Sequence, residues 1–194
     1  MGILDILRGE STRSPHSIRH DGKRLSDILA AHAKFVRGQD GGARADLAGA
    51  DLTRANLFRA NLAYADLQGA NLENANLREA KLASADLSKS YLRSTDMRKA
   101  DCTEANLSGA DLTEAQAGGA EFFRADLSRA VLRRTDFGAT NFRDANVQGA
   151  DFEGAILKTA ILRETNLDGV DLSRADLSTA LLPPGYRPAG VAKS

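Results

Sequence analysis

Three histidines and one cysteine are the residues of this chain best suited to metal binding or nucleophilic chemistry. His16 and His20 are four positions apart, so on a helix they would share one face and could bind a metal ion as a pair. Pro15 and Gly22 flank the pair, however, and no third ligand lies nearby, whereas structural zinc normally needs four ligands. A solvated segment is the simpler interpretation, and we predict no metal site.

Cys102 is the only cysteine, so neither an intramolecular disulfide nor a cysteine-rich zinc site can form. One interpretation of Cys102 is a reactive thiol. The other is a small buried apolar residue, because Cys102 stands where a repeating pattern places leucine, and buried cysteine behaves as an apolar side chain. We favour the second interpretation, which depends on the structure that this pattern builds.

A period of five residues dominates the chain from Ala45 to Leu182. All 28 residues at every fifth position from Leu47 to Leu182 are apolar, and the residues two positions earlier are alanine with six exceptions. An α-helix rotates by about 140° over five residues, and a strand alternates its faces, so either element would expose many of the leucines. A chain that runs extended for three residues and then turns a corner buries them all, which predicts a solenoid.

The spacing of glycines sets the size of one coil. Glycine recurs two places after the central apolar residue, and five of these glycines are separated by multiples of twenty: Gly49, Gly69, Gly109, Gly149 and Gly169. Four fives therefore make one four-sided coil. The 28 repeats then make seven coils, with a height of about 34 Å at ~4.8 Å per coil.

The unbroken A-(D/N)-(L/F)-x-x pattern of residues 45–182 resembles that of the pentapeptide-repeat proteins. The resemblance implies an all-β solenoid, a right-handed quadrilateral β-helix, and the handedness comes from the resemblance alone. The quinolone-resistance members typically dimerise through a C-terminal helix. Pro183, Pro184 and Pro188 argue against a regular helix after Leu182, so we expect a monomer or weak self-association instead of that dimer.

A solenoid needs covers for its end coils, and residues 24–38 (RLSDILAAHAKFVRG) are predicted to form an α-helical cap. Ser26 is its candidate N-cap residue. The helix face predicted to pack on the first coil carries Leu25, Ile28, Leu29, His32, Phe35 and Val36. The predicted organisation is a flexible lead (1–23), a helical cap (24–40), the β-helix (45–182) and a non-helical tail (183–194).

Two isoleucines interrupt the pattern near the end of the repeats. Ile156 and Ile161 stand where Asp or Asn is usual, and Leu181 follows Ile161 by twenty residues. We predict a small exposed apolar patch, covered by the tail that carries Tyr186 and Val191. Two alternatives stay open: the position tolerates β-branched residues, or the patch binds a partner or a second copy.

Neither the net charge nor the hydropathy of the chain indicates an obligatory ligand. The chain has 26 basic and 26 acidic residues, and residues 45–182 have 16 and 21. No apolar run approaches the ~18 residues of a membrane span. The opening MGILDILRGE has too short an apolar stretch for a secretory signal. We therefore expect a cytoplasmic protein without a membrane partner.

The predicted surface argues against an enzyme. Ser, Thr, Asp and Glu are abundant, but a regular convex surface offers no pocket that excludes water or shifts a pKa. No glycine-rich phosphate loop precedes a helix. The sequence predicts no catalytic residue, no cofactor and no metal ion.

Two non-enzymatic functions compete. The first is a rigid scaffold that binds an unknown protein partner. The second is a DNA mimic that binds a type II topoisomerase (DNA gyrase), which the resemblance implies for some members. A mimic needs near-continuous negative charge, because duplex DNA carries one charge per ~1.7 Å. Basic residues such as Lys89, Arg93, Arg129 and Arg133 interrupt the acids, which favours the scaffold. They form no continuous stripe, which argues against direct nucleic-acid binding.

Overall fold

A computed structural model describes residues 11–186. A short antiparallel hairpin comes first, formed by strands β1 (Arg19–His20) and β2 (Lys23–Arg24). Helix α1 (Leu25–Val36) follows it directly. The rest of the described chain, from residue 45 onward, winds as a solenoid around its own apolar residues.

Parallel β-bridges join residues that are twenty apart along the solenoid, from Asp46–Asp66 at the front to Ile161–Leu181 at the rear. Along most of the solenoid, each side of a coil contributes one such bridge. The Leu47 N–H donates to the Asp66 carbonyl at 2.8 Å, and the Asp66 N–H donates back to the Ala45 carbonyl at 2.9 Å. Four fives therefore close one coil, as the glycine spacing predicts.

The core consists of the central residue of each five and the residue two positions before it. Almost all of these leucines, phenylalanines and alanines are fully buried. Threonine replaces alanine at four inner positions, and each hydroxyl donates to a carbonyl 23 residues earlier. The four bonds are Thr95 to Leu72, Thr135 to Leu112, Thr140 to Ala117, and Thr165 to Phe142. Every buried threonine hydroxyl of this set is thus satisfied, as burial requires.

Four phenylalanines cluster in the core of three successive coils. Phe142 stacks on Phe122 with ring centroids 5.4 Å apart, and its ring lies edge-on to Phe137 at 5.0 Å and to Phe152 at 6.5 Å. Ala117 is buried beside them in a column where leucine is common. Large side chains therefore occupy the space that small ones leave, which keeps the core close-packed.

Almost every corner is a β-turn with one residue at positive φ. The Ala70 N–H donates to the Leu67 carbonyl at 3.0 Å, and Gly69 between them has a φ of +64°. Other corners put larger residues at this position, such as Arg54 (φ 59°) and Tyr64 (φ 66°). Several corner glycines lie beneath a basic side chain from the coil before: Lys89 over Gly109, Lys99 over Gly119, Arg129 over Gly149 and Arg134 over Gly154.

We expect Gly69→Ala to lower the free energy of unfolding by about 1 kcal/mol, because L residues are disfavoured at positive φ. A Cβ added at Gly69 meets nothing within 4 Å, so the cost is conformational and not steric. Gly118→Ala is the matched control, since Gly118 has no positive φ and its Cβ would lie 3.6 Å from the Gly138 carbonyl. Urea unfolding followed by circular dichroism measures both, and equal costs would contradict the explanation.

The outward Asp or Asn of each five stabilises the corner that follows it. The side-chain oxygen accepts the backbone N–H two residues later, for example Asp66 from Gln68 at 3.1 Å and Asn71 from Glu73 at 3.0 Å. This Asx-turn bond explains why the repeat prefers Asp and Asn over other polar residues. Isoleucine has no acceptor, so the bond cannot form at Ile156 or Ile161.

The segment before α1 differs from the flexible lead that the sequence predicts. Arg13 forms a parallel bridge with Ala55, and Ile18 is buried in the core. Ser26 is not the N-cap residue of α1, because the helix begins at Leu25 with Arg24 as its N-cap and no side-chain cap. Carbonyls of the preceding loop take that role: the Leu25 N–H donates to Ile18 and the Ser26 N–H to Pro15. Residues 1–10 lie outside the described residues.

The bridge ladder is incomplete at the rear. On two sides the last bridges are Asp126–Asn146 and Val131–Asp151, whereas the other two sides continue to Asp176 and Leu181. The Gln148 side chain donates to the Asn166 carbonyl at 3.0 Å, where backbone pairing holds earlier coils together. Val170 occupies the inner alanine position between these two sides, and its side chain has no hydroxyl to donate as threonine does at other inner positions.

Candidate interaction surfaces

The predicted rear patch lies on two sides of the last two coils. Ile161 and Leu181 are bridge partners, and Ile156, on the preceding side, is the bridge partner of Asp176. Ile156 and Leu181 are each 41% exposed, and Ile161 is half-buried. The structure therefore places Ile161 beside Leu181, while a carboxylate residue follows Ile156 along its own column.

The start of the tail packs at this end of the molecule. Tyr186 is half-buried against the apolar core, and its N–H donates to the Pro183 carbonyl at 3.2 Å. Burial raises the pKa of Tyr186, and the neighbouring carboxylate of Asp171 adds to the shift. Val191, the other tail residue predicted to cover the patch, lies outside the described residues.

The residues predicted to dock α1 divide into two groups. Leu25 is buried, and Ile28 and Leu29 are half-buried against the core. Phe35 and Val36, at the end of the helix, are exposed and half-buried respectively. His32 is fully buried on the same helix. Contact with the first coil is thus made mainly by the first two turns of α1 and by His32.

Exposed aromatic side chains stand on three of the four faces. Phe58 is 42% exposed, with the guanidinium of Arg59 4.8 Å from its ring centroid and that of Arg78 6.0 Å away. Tyr64 and Tyr91 are more exposed than Phe58. Aromatic and arginine side chains are enriched among the residues that dominate protein interfaces. Phe58 with Arg59 is therefore the best developed anchor of this type at the front of the solenoid.

Ion pairs run along the solenoid axis because residues about twenty apart are neighbours on adjacent coils. They include Arg59–Glu79, Arg124–Glu104, Arg124–Asp144, Arg134–Glu114, Arg143–Glu164 and Arg174–Glu153. The hydrogen bond from Arg59 lowers the pKa of Glu79. Exposed pairs of this kind contribute little to stability. Their main effect is to neutralise most faces locally.

One open depression lies at the rear, where the ladder is incomplete. Ala150, Asp151, Glu153, Asp171 and Arg174 line it. Within residues 11–186, no group of three or more His, Cys, Asp or Glu residues is arranged to hold a metal ion. Over the same residues, no helix is long and apolar enough to cross a membrane. The depression therefore offers mixed charge without a recognisable catalytic constellation.

Cys102 is fully buried between coils, and this burial raises the pKa of its thiol far above the usual range. Thiolates and not thiols react, so native Cys102 is expected to resist maleimide and to react once in urea. Tyr64→Cys supplies an exposed thiol as the positive control. Mass spectrometry counts the labels. Rapid stoichiometric labelling of the native wild-type protein would contradict a purely structural role.

Comparisons with solved structures find several β-helical proteins of low sequence identity. HetL from Nostoc sp. strain PCC 7120, a pentapeptide repeat protein involved in heterocyst differentiation regulation, is 29% identical, with 72% of this chain and 81% of that chain covered and a TM-score of 0.26. Rfr23 from Cyanothece 51142 is 24% identical, with 61% and 80% covered and a TM-score of 0.33. QnrB1, a plasmid-mediated fluoroquinolone resistance protein, is 22% identical, with 77% of each chain covered and a TM-score of 0.39.

The family comparison rests on the repeats themselves. No curated protein matches this chain. The family described as pentapeptide repeats, eight copies, matches residues 43–74, 75–113, 120–158 and 152–182. These segments cover most of the chain and contain the residues that form the solenoid. The chain therefore belongs to the pentapeptide-repeat family, whose fold is a right-handed quadrilateral β-helix.

Proposed function

We propose that this protein is a non-enzymatic, cytoplasmic scaffold that binds a protein partner through the faces of its solenoid. One observation carries the proposal: among the described residues, the outward side chains form flat, locally neutralised faces with exposed aromatic anchors. A rigid convex rod of this kind can hold a partner in a fixed orientation without ordering itself on binding.

The proposed organisation after residue 23 has three parts. Residues 45–182 form seven coils, residues 24–40 close the front as a helical cap, and residues 183–194 form a non-helical tail. The burial of Leu25 and the packing of Ile28 and Leu29 support the cap. The half-burial of Tyr186 against the core supports closure of the rear by the tail. We propose a monomer or weak self-association.

The rear patch of Ile156, Ile161 and Leu181 has two uses under this proposal. Either the tail docks on it, or it binds a partner or a second copy. Replacing the three residues by Asp, Asn and Asn restores the usual repeat residues without changing the core. Val131→Asp is the matched control, because Val131 is also an outward apolar residue but lies on a different side of the solenoid, between Asp111 and Asp151.

Sedimentation and pull-down from the source cell test these uses. Loss of a captured protein, or of self-association, in the triple variant but not in Val131→Asp assigns the patch to binding. If both variants keep every interaction and the triple variant exposes the tail to protease, the patch docks the tail. A partner lost only with Phe58→Ala would instead place the binding face at the front.

The DNA-mimic alternative is tested by a gyrase supercoiling assay. We expect no inhibition and no protection from quinolones at sub-micromolar protein, because ion pairs along the axis interrupt the negative charge that a mimic needs. A folded preparation that inhibits supercoiling in that range would overturn the scaffold in favour of the mimic.

A further inference from the structure

His32 lies at the contact between α1 and the first coil. Its ring is fully buried and stacks on Phe35, with centroids 5.7 Å apart. Nδ1 accepts the Ala45 N–H at 3.0 Å. Nε2 is also buried without a hydrogen bond of normal geometry, although the Ala63 carbonyl lies close enough to act on the ring. A buried imidazole that accepts a backbone N–H at one nitrogen and lacks a well-formed bond at the other requires an explanation.

The bond to Ala45 replaces a bond that the solenoid supplies everywhere else. Later inner residues donate their N–H to the central residue three positions earlier, as Ala50 does to Leu47 and Ala65 to Leu62. Ala45 opens the repeat and follows no such corner, so it has no equivalent carbonyl. The imidazole supplies the missing acceptor, and it thereby ties α1 to the first residue of the solenoid.

We propose that His32 is a pH-sensitive latch that holds α1 against the first coil at neutral pH and releases it in acid. Protonation places a hydrogen on Nδ1, which can then no longer accept the Ala45 N–H. It also places a positive charge in a buried position without a carboxylate partner among the groups that act on the ring. Both effects oppose the closed contact and neither opposes the open one.

The charges around the ring agree with this direction. Burial lowers the pKa of His32, the guanidinium of Arg44 lowers it further, and the Ala63 carbonyl partly opposes them. On α1 itself the ring contacts the uncharged Phe35. Because the closed form has the lower pKa, the latch has its full strength above the free imidazole value of ~6.5. As pH falls below that value, the equilibrium constant for opening rises by up to about tenfold for each pH unit.

Opening would uncover the front edge of the solenoid and the apolar face of α1. The edge presents unpaired backbone groups, and α1 carries Ile28 and Leu29 on the released face. The inference does not depend on the scaffold function proposed above, because it concerns the front closure alone. It would give the molecule a pH-controlled second surface.

Hydrogen–deuterium exchange of the full chain tests the latch at pH values of about 7.5 and about 5, on either side of the free imidazole pKa. Rates are corrected for intrinsic exchange. We expect protection of residues 25–36 and 43–50 to fall by about tenfold or more in acid, while residues 105–140 keep theirs. Retained protection of 25–36 at the lower pH would overturn the proposal.

Variants separate His32 from the other histidines. His32→Asn keeps an acceptor close to the Nδ1 position but cannot titrate, so exchange of α1 should become independent of pH even if it is faster throughout. His16→Asn and His20→Asn should keep the wild-type response. Acid opening that persists in His32→Asn contradicts the latch. An NMR titration of wild-type His32 gives a second check, because a pKa at or above the free value would also contradict it.

Discussion

Phe142→Ala is expected to lower the free energy of unfolding by about 3–5 kcal/mol, the range for a buried phenylalanine that leaves a cavity. Phe142 has no exposed surface, and its ring contacts Phe122, Phe137 and Phe152. The cavity would lie in the middle of the solenoid, where the coils on both sides limit collapse. Denaturant unfolding followed by circular dichroism measures the loss.

Phe58→Ala is the matched control for Phe142→Ala. Phe58 is 42% exposed, and it contacts Arg59 and Arg78 on the outer surface. We expect its removal to change stability by no more than about 1 kcal/mol, the size of an exposed cation–π contact. A loss at Phe58 equal to that at Phe142 would mean that surface anchors and not the phenylalanine cluster hold the solenoid.

Deletion of three residues is expected to damage the fold more than deletion of twenty. Removal of 86–105 takes out one whole coil and joins Ala85 to Asn106, which keeps the A-N-L pattern and the stacking of every side. Removal of 86–88 takes out the buried Leu87 and leaves one side too short to reach its corner. The second deletion also removes ladder bonds to both neighbouring coils, such as Leu87 to Asn106 and Asp86 to Ala65.

The two deletions are expected to lower the free energy of unfolding by very different amounts. Loss of Leu87 and several ladder bonds amounts to more than about 5 kcal/mol, which is comparable to the whole stability of many domains. The twenty-residue deletion should still unfold cooperatively, with a smaller slope against denaturant because less surface is buried. A stable fold for the three-residue deletion, or no fold for the twenty-residue one, would contradict a coil of twenty.

The coil length was predictable because it depends on a backbone requirement that one residue type satisfies best. Glycine marks corners at positive φ, so its spacing reports the geometry directly. The burial of Cys102 was predictable for a similar reason, since its place in the repeat is read from the sequence. The family comparison confirms the pentapeptide-repeat assignment. The right-handed winding of the coils follows from the fold of that family.

Other features depend on contacts that no local pattern encodes. The Asx-turn bond of Asp66 or Asn71 is an exception, because in most fives a polar residue stands two places before the corner N–H. The cap of α1 was assigned to Ser26, but carbonyls of Pro15 and Ile18 serve it instead. The bridge of Arg13 to Ala55 joins residues far apart in sequence, so composition alone suggested a flexible lead.

The incomplete ladder gives the rod a polarity. At the front, the hairpin, α1 and the bridge of Arg13 to Ala55 hold the first coil, whereas on two sides of the rear the bridges stop at Asn146 and Asp151. In a linear array each coil is supported only by its neighbours. Such a solenoid is expected to unfold sequentially, starting with the rear coil, while the front coil stays held. Its last coil would separate while the front and middle keep their native structure, so the rear is where thermal fluctuations first reach the interior.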